Sequence, residues 1–329
     1  MISVRSMTAA DIPLGLKLAR QAGWNQMEAD WRRFLAMQPD GCFVGEWDGA
    51  PVATTAAFIF GPVAWIAMVL VDIESRRKGI ATTLLQHALD FLDAQGVQTV
   101  RLDATAAGQP VYEKLGFVPE YCLTRYMGTA AHRGAAPGTR DDKIAEHGTV
   151  AQLVVPRTSG PRVSRASGPR IEGGTPSTHA GGTPATRASQ PRPSDDPWRE
   201  VFAFDHRMTA TSRAKMLARL FEESPDLTRV WHQEGQLQGY ITGRRGANAT
   251  LIGPCVATAE AGPVLLGGAL CCCAGQPVFI DVPRDNAPAI ALVENSGLTA
   301  QRHFMRMCRG ARIEDHTEAI WASSGPEKG

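Results

Sequence analysis

The chain has 329 residues, enough for two domains, with 43% hydrophobic and 20% charged residues, an ordinary globular composition. A formal net charge of +1 gives no electrostatic reason to expect nucleic acid or an anionic membrane as a partner. Seven cysteines, an odd number with no Cys-x-x-Cys, argue against a disulfide framework or a metal cluster, and no signal-type segment opens the chain, so a reducing cytoplasm is expected.

In chain order, Ile2-Ser3-Val4-Arg5 alternates as a short strand. Residues 11–22 and 27–37 carry helical apolar spacing, and Gly41 follows the second run. Strands over 42–47 and 51–60 flank Asp48-Gly49, a hairpin turn signal. Residues 51–71 hold no charge over 21 positions, long enough to cross a bilayer, but Gly61-Pro62 at the centre would break such a helix. The stretch therefore predicts two buried strands, the second over 64–71. A helix over 79–95 follows, with Leu84, Leu85, Ala88, Leu89 and Leu92 inward, then a strand over 97–103. A short helix over 111–115 and a strand or strand pair over 117–127 close the unit.

Between the second buried strand and the helix lies Val69-Leu70-Val71-Asp72-Ile73-Glu74-Ser75-Arg76-Arg77-Lys78-Gly79-Ile80-Ala81. A strand, a tight loop and a helix N-terminus offer free N–H groups with partial positive charge, a place suited to an anion. Gly79 lets the backbone come close to a phosphate, and Arg76, Arg77 and Lys78 add full charges. Neither the Walker pattern Gly-x-x-x-x-Gly-Lys-Ser/Thr nor Gly-x-Gly-x-x-Gly is present, and no acidic magnesium ligand accompanies the loop, which leaves a nucleoside triphosphate without its usual holders.

Arg76-x-x-Gly79-x-Ala81 resembles the acetyl-CoA loop of the GNAT N-acetyltransferase superfamily, and Val111-Tyr112-Glu113-Lys114-Leu115-Gly116-Phe117 resembles the signature after that family's fifth strand. The order of elements over 1–128 is also the family's. The resemblance implies an α/β (α+β) fold with a mixed, mainly antiparallel twisted sheet flanked by helices. It further implies direct acetyl transfer from acetyl-CoA, without a metal, to a primary amine of a small molecule or peptide. By the same resemblance, the backbone of Val69, Leu70 and Val71 would pair with the pantetheine arm, and Arg76, Arg77, Lys78, Gly79, Ile80, Ala81 and Thr82 would hold the pyrophosphate. Tyr112 would protonate the leaving thiolate. The strand over 64–71 has no acid or histidine for a base, so Asp103, at the end of the next strand, is the candidate, with a loop-fixing role as its competitor. Gly108-Gln109-Pro110 stands where the family often has asparagine.

From Tyr126 no aromatic residue occurs until Trp198, and Ser-Gly-Pro-Arg and Gly-Gly-Thr-Pro each occur twice, so 131–196 reads as a flexible linker. Globular patterning returns with a helix over 212–223 and strands at 227–231 and 239–243. The chain then repeats itself at an offset of 181: Leu84-Leu85 as Leu265-Leu266, Gly116 as Gly297, Arg125 as Arg306. Strand 100–103, ending in Asp103, finds its counterpart in 279–281, ending in Asp281, three residues out of register. At the 181 offset Gly79 becomes Glu260, Arg76-Arg77-Lys78 becomes Ala257-Thr258-Ala259, and Tyr112 becomes Val293. A carboxylate where a pyrophosphate should sit repels it. The layout resembles bacterial tandem GNAT proteins with a degenerate second copy carrying Ile252-Gly253-Pro254. The expected organisation is an acetyltransferase domain over 1–130, the linker, a degenerate GNAT-like domain over 197–315 and a flexible tail over 316–329, in a monomer whose copies mimic a dimer. A non-catalytic acyl-CoA sensor is the competing reading.

Overall fold

The computed structural model describes residues 1–130, 149–152 and 198–328. Strand β1 (Ile2–Ser6) leads to helices α1 (Ile12–Gln21) and α2 (Glu28–Met37), then strands β2 (Cys42–Trp47), β3 (Ala50–Phe60) and β4 (Val63–Val71). Helix α3 (Ile80–Ala94), strand β5 (Thr99–Ala104), helix α4 (Gln109–Lys114) and strand β6 (Val118–Thr129) follow. After β7 (Thr149–Gln152) the plan repeats with α5 (Arg199–Thr209), α6 (Ala214–Glu223), β8 (Arg229–Gln233), β9 (Gln236–Arg244) and β10 (Thr250–Ala257). Helix α7 (Ala261–Cys272), β11 (Pro277–Pro283), α8 (Ala287–Asn295), β12 (Thr299–Gly310) and β13 (Ile320–Ala322) complete it.

Local chemistry accounts for these elements. Asp48 and Gly49 take φ of 50° and 79°, the left-handed pair that a two-residue hairpin needs. The charge-free stretch is strands β3 and β4 turning at Gly61-Pro62, and no helix among the described residues is long and apolar enough to cross a membrane. Helix α3 buries Leu84, Leu85, Ala88, Leu89 and Leu92 against the sheet.

All strands join one sheet in the order β1-β2-β3-β4-β5-β12-β6-β11-β10-β9-β8-β7, with β13 paired to β10. Among the described strands only β4–β5 and β10–β11 pair in parallel. The two halves exchange their last long strands: β12 of the second half lies between β5 and β6, and β6 of the first lies between β12 and β11. Each exchange is pinned by a buried ion pair. Arg306 on β12 grips Asp103 on β5 through Nε at 2.8 Å and Nη2 at 3.0 Å. Arg125 on β6 grips Asp281 on β11 at 2.7 Å twice. The register pairs Arg306 with Asp103 and Asp281 with Arg125, so the two bridges are counterparts, and this aligns Asp281 with Asp103 across the three-residue slip seen in the sequence. The halves also share a core, since Met216 and Leu220 of α6 pack with Trp31, Phe34, Phe58 and Trp65.

One expectation needs correction. Residues 316–328 are not a loose tail: Ile320, Trp321, Ala322 and Lys328 are each at most 4% exposed, and β13 is a sheet strand. Three apolar residues among polar ones carry too little local signal, and the gap they fill is made by distant strands. Of the two readings open for 117–127, the single strand holds, as β6. Of the proposed linker, 131–148 and 153–196 lie outside the described residues, while β7 within it pairs with β8.

Candidate active site

Strands β4 and β5 are paired only where Val63–Trp65 runs beside Thr99–Arg101. Beyond that point β4 stays with β3 and β5 turns to β12, so the two part and a cleft opens between them. At the opening β4 carries a bulge: Thr54 opposes Leu70 and Ala56 opposes Ala67, so Met68 and Val69 face the single Thr55. Met68 holds φ of 56°, a left-handed conformation uncommon for its type, kept by Thr54 Oγ1 donating to its carbonyl at 3.0 Å. Thr55 Oγ1 donates to the Ala67 carbonyl at 3.3 Å. A bulge leaves ladder groups of its strand without partners and re-aims them, here beside the cleft.

The basic loop follows directly. Asp72 starts a short turn, accepting from the Glu74 amide at 3.1 Å and from Lys17 Nζ at 2.6 Å; the Lys17 contact first, then the amide, holds its carboxyl below the usual range. Asp72 is thus a brace for the loop. Arg76 Nε donates to the Val71 carbonyl at 3.2 Å, and Lys78 Nζ lies 5.0 Å from the centre of the Trp47 ring. Gly79, at φ 81° and ψ −2°, caps α3 from the left-handed region. Arg76, Arg77, Lys78 and Gly79 are exposed, and none of the three cations has an acidic partner among the described residues. The first-turn amides from Ile80 to Thr82 have no acceptor within their own helix. Loop charge and helix end therefore point to one place.

Tyr112 on α4 lines the cavity at the head of the cleft together with Ile66, Met68, Val69, Leu102 and Thr105. Its ring meets Phe117 edge to face at 6.0 Å, and burial pushes its phenol up to about 12. Its hydroxyl has no hydrogen-bond partner among the described residues. Asp103 also borders this cavity, but its side chain is 2% exposed and both oxygens are taken by Arg306, which stacks on Trp65 at 4.7 Å. That geometry fits the loop- and strand-fixing role, not a base waiting for a proton. Sequence reading did not anticipate Gln26, Arg302 or Glu327, which border the same cavity from α2's approach, β12 and the segment after β13. Glu327 had no readable signal, because it reaches the cleft only through the path of 320–328. Among the described residues no group of three or more His, Cys, Asp or Glu side chains is placed to hold a metal ion.

The second half lacks an open counterpart. Its β10 and β11 also part after Ile252 and Ile280, but β13 enters the gap, pairing Cys255 with Ala322 and Val256 with Ile320. The Ser323 amide donates to the Asp281 carbonyl at 2.7 Å, sealing the other side. At the start of α7, a Cβ on Gly262 would lie 1.8 Å from Trp321, so the indole sits flat on the helix end that the first half leaves free. Glu260 takes the cap position corresponding to Gly79, and Val293, corresponding to Tyr112, is fully buried on α8. This cleft is filled by the chain itself.

Residues 16–117 match the profile of the acetyltransferase (GNAT) family, and 201–322 match that of a second acetyltransferase (GNAT) domain. A stretch of 113 residues is 33% identical to the uncharacterized N-acetyltransferase YitH of Bacillus subtilis, covering 34% of this chain and 39% of that protein. An uncharacterized N-acetyltransferase of Streptomyces avermitilis is 30% identical over 122 residues, or 34% of this chain and 29% of that one. The aligned part thus spans about two fifths of the first relative's length and under a third of the second's. Among solved structures, a GCN5-related N-acetyltransferase from Sphaerobacter thermophilus matches with a TM-score of 0.60 at 14% identity over 96% of this chain and 98% of that one. The tandem GNAT protein from the clavulanic acid biosynthesis pathway matches with 0.58 at 16%, over 96% and 100%. At such identities these likenesses are of fold. With one profile on each half and this shared architecture, the chain belongs to the GNAT acetyltransferase family and carries two of its domains in tandem.

Proposed function

We propose that the protein is an acetyl-CoA-dependent N-acetyltransferase whose first half does the chemistry and acts on a primary amine. The observation that carries this is the open β4–β5 cleft, which runs from the basic helix end past the β4 bulge to the free hydroxyl of Tyr112. The exposed Arg76, Arg77 and Lys78, with the amides from Gly79 to Thr82, would hold the pyrophosphate, and the edge of Val69–Val71 would pair with the pantetheine amides. Backbone donors freed by the bulge at Met68 would polarise the thioester carbonyl. The amine lone pair attacks the carbonyl carbon, the C–N bond forms, and the C–S bond breaks as its electron pair goes to sulfur. Tyr112 gives its proton to that sulfur, while the amine nitrogen loses one to solvent. Burial that raises the phenol keeps it protonated, so that its proton is available to the sulfur.

With no acid or histidine on β4 and Asp103 on β5 paired with Arg306, neither strand supplies a dedicated base, which is the feature that favours the non-catalytic acyl-CoA sensor. Turnover separates the two. Wild type should form acetylated product from acetyl-CoA on an amine panel, and Tyr112→Phe should lose about 10²–10⁴-fold in kcat with its acetyl-CoA affinity retained. Binding of acetyl-CoA with no product from any amine would establish the sensor instead.

A further inference from the structure

The cavity beside Tyr112 is bordered by polar groups that nothing among the described residues satisfies. Gln26 Oε1 and Glu327 Oε2 are buried there without hydrogen-bond partners. The Gln26 residue is 8% exposed and the Glu327 side chain 3%. Glu327 is held from one side only. Its Oε1 accepts from Arg244 Nε at 3.1 Å, from Arg244 Nη2 at 2.8 Å and from the Lys328 ammonium, and its Oε2 is buried on the side of Gly325. Burial opposes its charge, yet Lys328 and Arg244 outweigh that and keep the carboxyl ionised. A buried acceptor left open costs about 1–3 kcal/mol, more for a charged one, and both of these are shielded from the space inside the cavity.

A demand for an anion is present on the same wall. Arg302 borders the cavity half-buried, and among the described residues its side chain hydrogen-bonds only from Nε to Oε1 of the adjacent Gln301 at 3.2 Å. Among the described residues it has no acidic partner, whereas the other guanidinium there, Arg125, is fully taken by Asp281. Burial, then the charge of Arg125, lower its pKa, the signature of a cation in want of an anion. A polycationic acceptor would meet this guanidinium head-on.

Building on the acetyltransferase reading, we infer that the acceptor is a small amine bearing its own carboxylate, of the α-amino acid or short-peptide class. Arg302 binds the carboxylate.

The test pairs α-amino acids and short peptides with their decarboxylated amines, in acetyl-transfer assays with the full chain. Wild type should favour the carboxylate-bearing member of a pair, and Arg302→Met should lower that preference about 10- to 100-fold, chiefly through KM, as expected when a charged hydrogen bond is removed. Arg302→Lys should keep part of it, and the acetyl-CoA dissociation constant should be the same in all three proteins. Equal or better transfer to the decarboxylated amines, or an unaltered preference in Arg302→Met, overturns the inference while leaving the acetyltransferase standing. A weakened acetyl-CoA affinity in Arg302→Met also overturns it, by placing Arg302 on the cofactor. No transfer to any member of either series overturns both.

Discussion

At the scale of single residues, the clearest division is between Tyr112 and Asp103. Both border the cavity, but the Tyr112 hydroxyl has no partner among the described residues and the Asp103 side chain is saturated. Sequence patterning cannot draw this line, because the partner that saturates Asp103 is Arg306, 203 positions away on an exchanged strand. Asp103→Ala should destabilise the protein by about 3–5 kcal/mol, since it strands Arg306 as a buried unpaired charge. The isosteric Asp103→Asn should lower the melting temperature but leave the pH dependence of the residual transfer rate as in wild type. Loss of the acidic limb in that variant would return the base role to Asp103. Tyr112 itself, with a phenol pushed up to about 12, stays protonated across the neutral range, so the rate should climb with pH only as the acceptor amine loses its proton.

Among elements, the two helix N-termini at α3 and α7 show how one design was kept open and the other closed. The first is capped by Gly79 in the left-handed region with open space around it. The second carries Glu260 at its cap and Trp321 against Gly262. Gly79→Glu should abolish acetyl-CoA binding in calorimetry through repulsion of the pyrophosphate, with a stability cost of only about 1–2 kcal/mol for the left-handed backbone. Normal binding by that variant would mean that the loop is not the phosphate site. Gly262→Ala should act through structure instead: its methyl has no room beneath the indole, so β13 must lift. Thermal denaturation should show it well below wild type, and an unshifted transition would contradict the packing described. Periodic apolar faces and turn residues made α1 to α4 and β1 to β6 legible, and two short motifs placed the loop and Tyr112. The β4 bulge was not legible, because Met68 is an ordinary strand residue whose φ of 56° is set by Thr54 and Thr55 on the next strand.

For the whole molecule, exchange of β6 and β12 makes the halves interdependent, with each domain's sheet completed by the other. The repeat in the sequence announced two copies but not that they interlock, since strand pairing over some 200 residues leaves no local trace. The same exchange brings 320–328 across the second cleft and on to the first, where Pro326 accepts from Trp65 Nε1 at 2.9 Å and Glu327 enters the cavity. A chain that already joins its two copies this way has its pseudo-dimer built in, and sedimentation should find it monomeric. The central claim is one live cleft and one filled by the chain itself. Isothermal titration of the full chain with acetyl-CoA tests it most directly. One molecule bound per chain, and none in Gly79→Glu, is the predicted result; two bound per chain, or one that survives in Gly79→Glu, would contradict it.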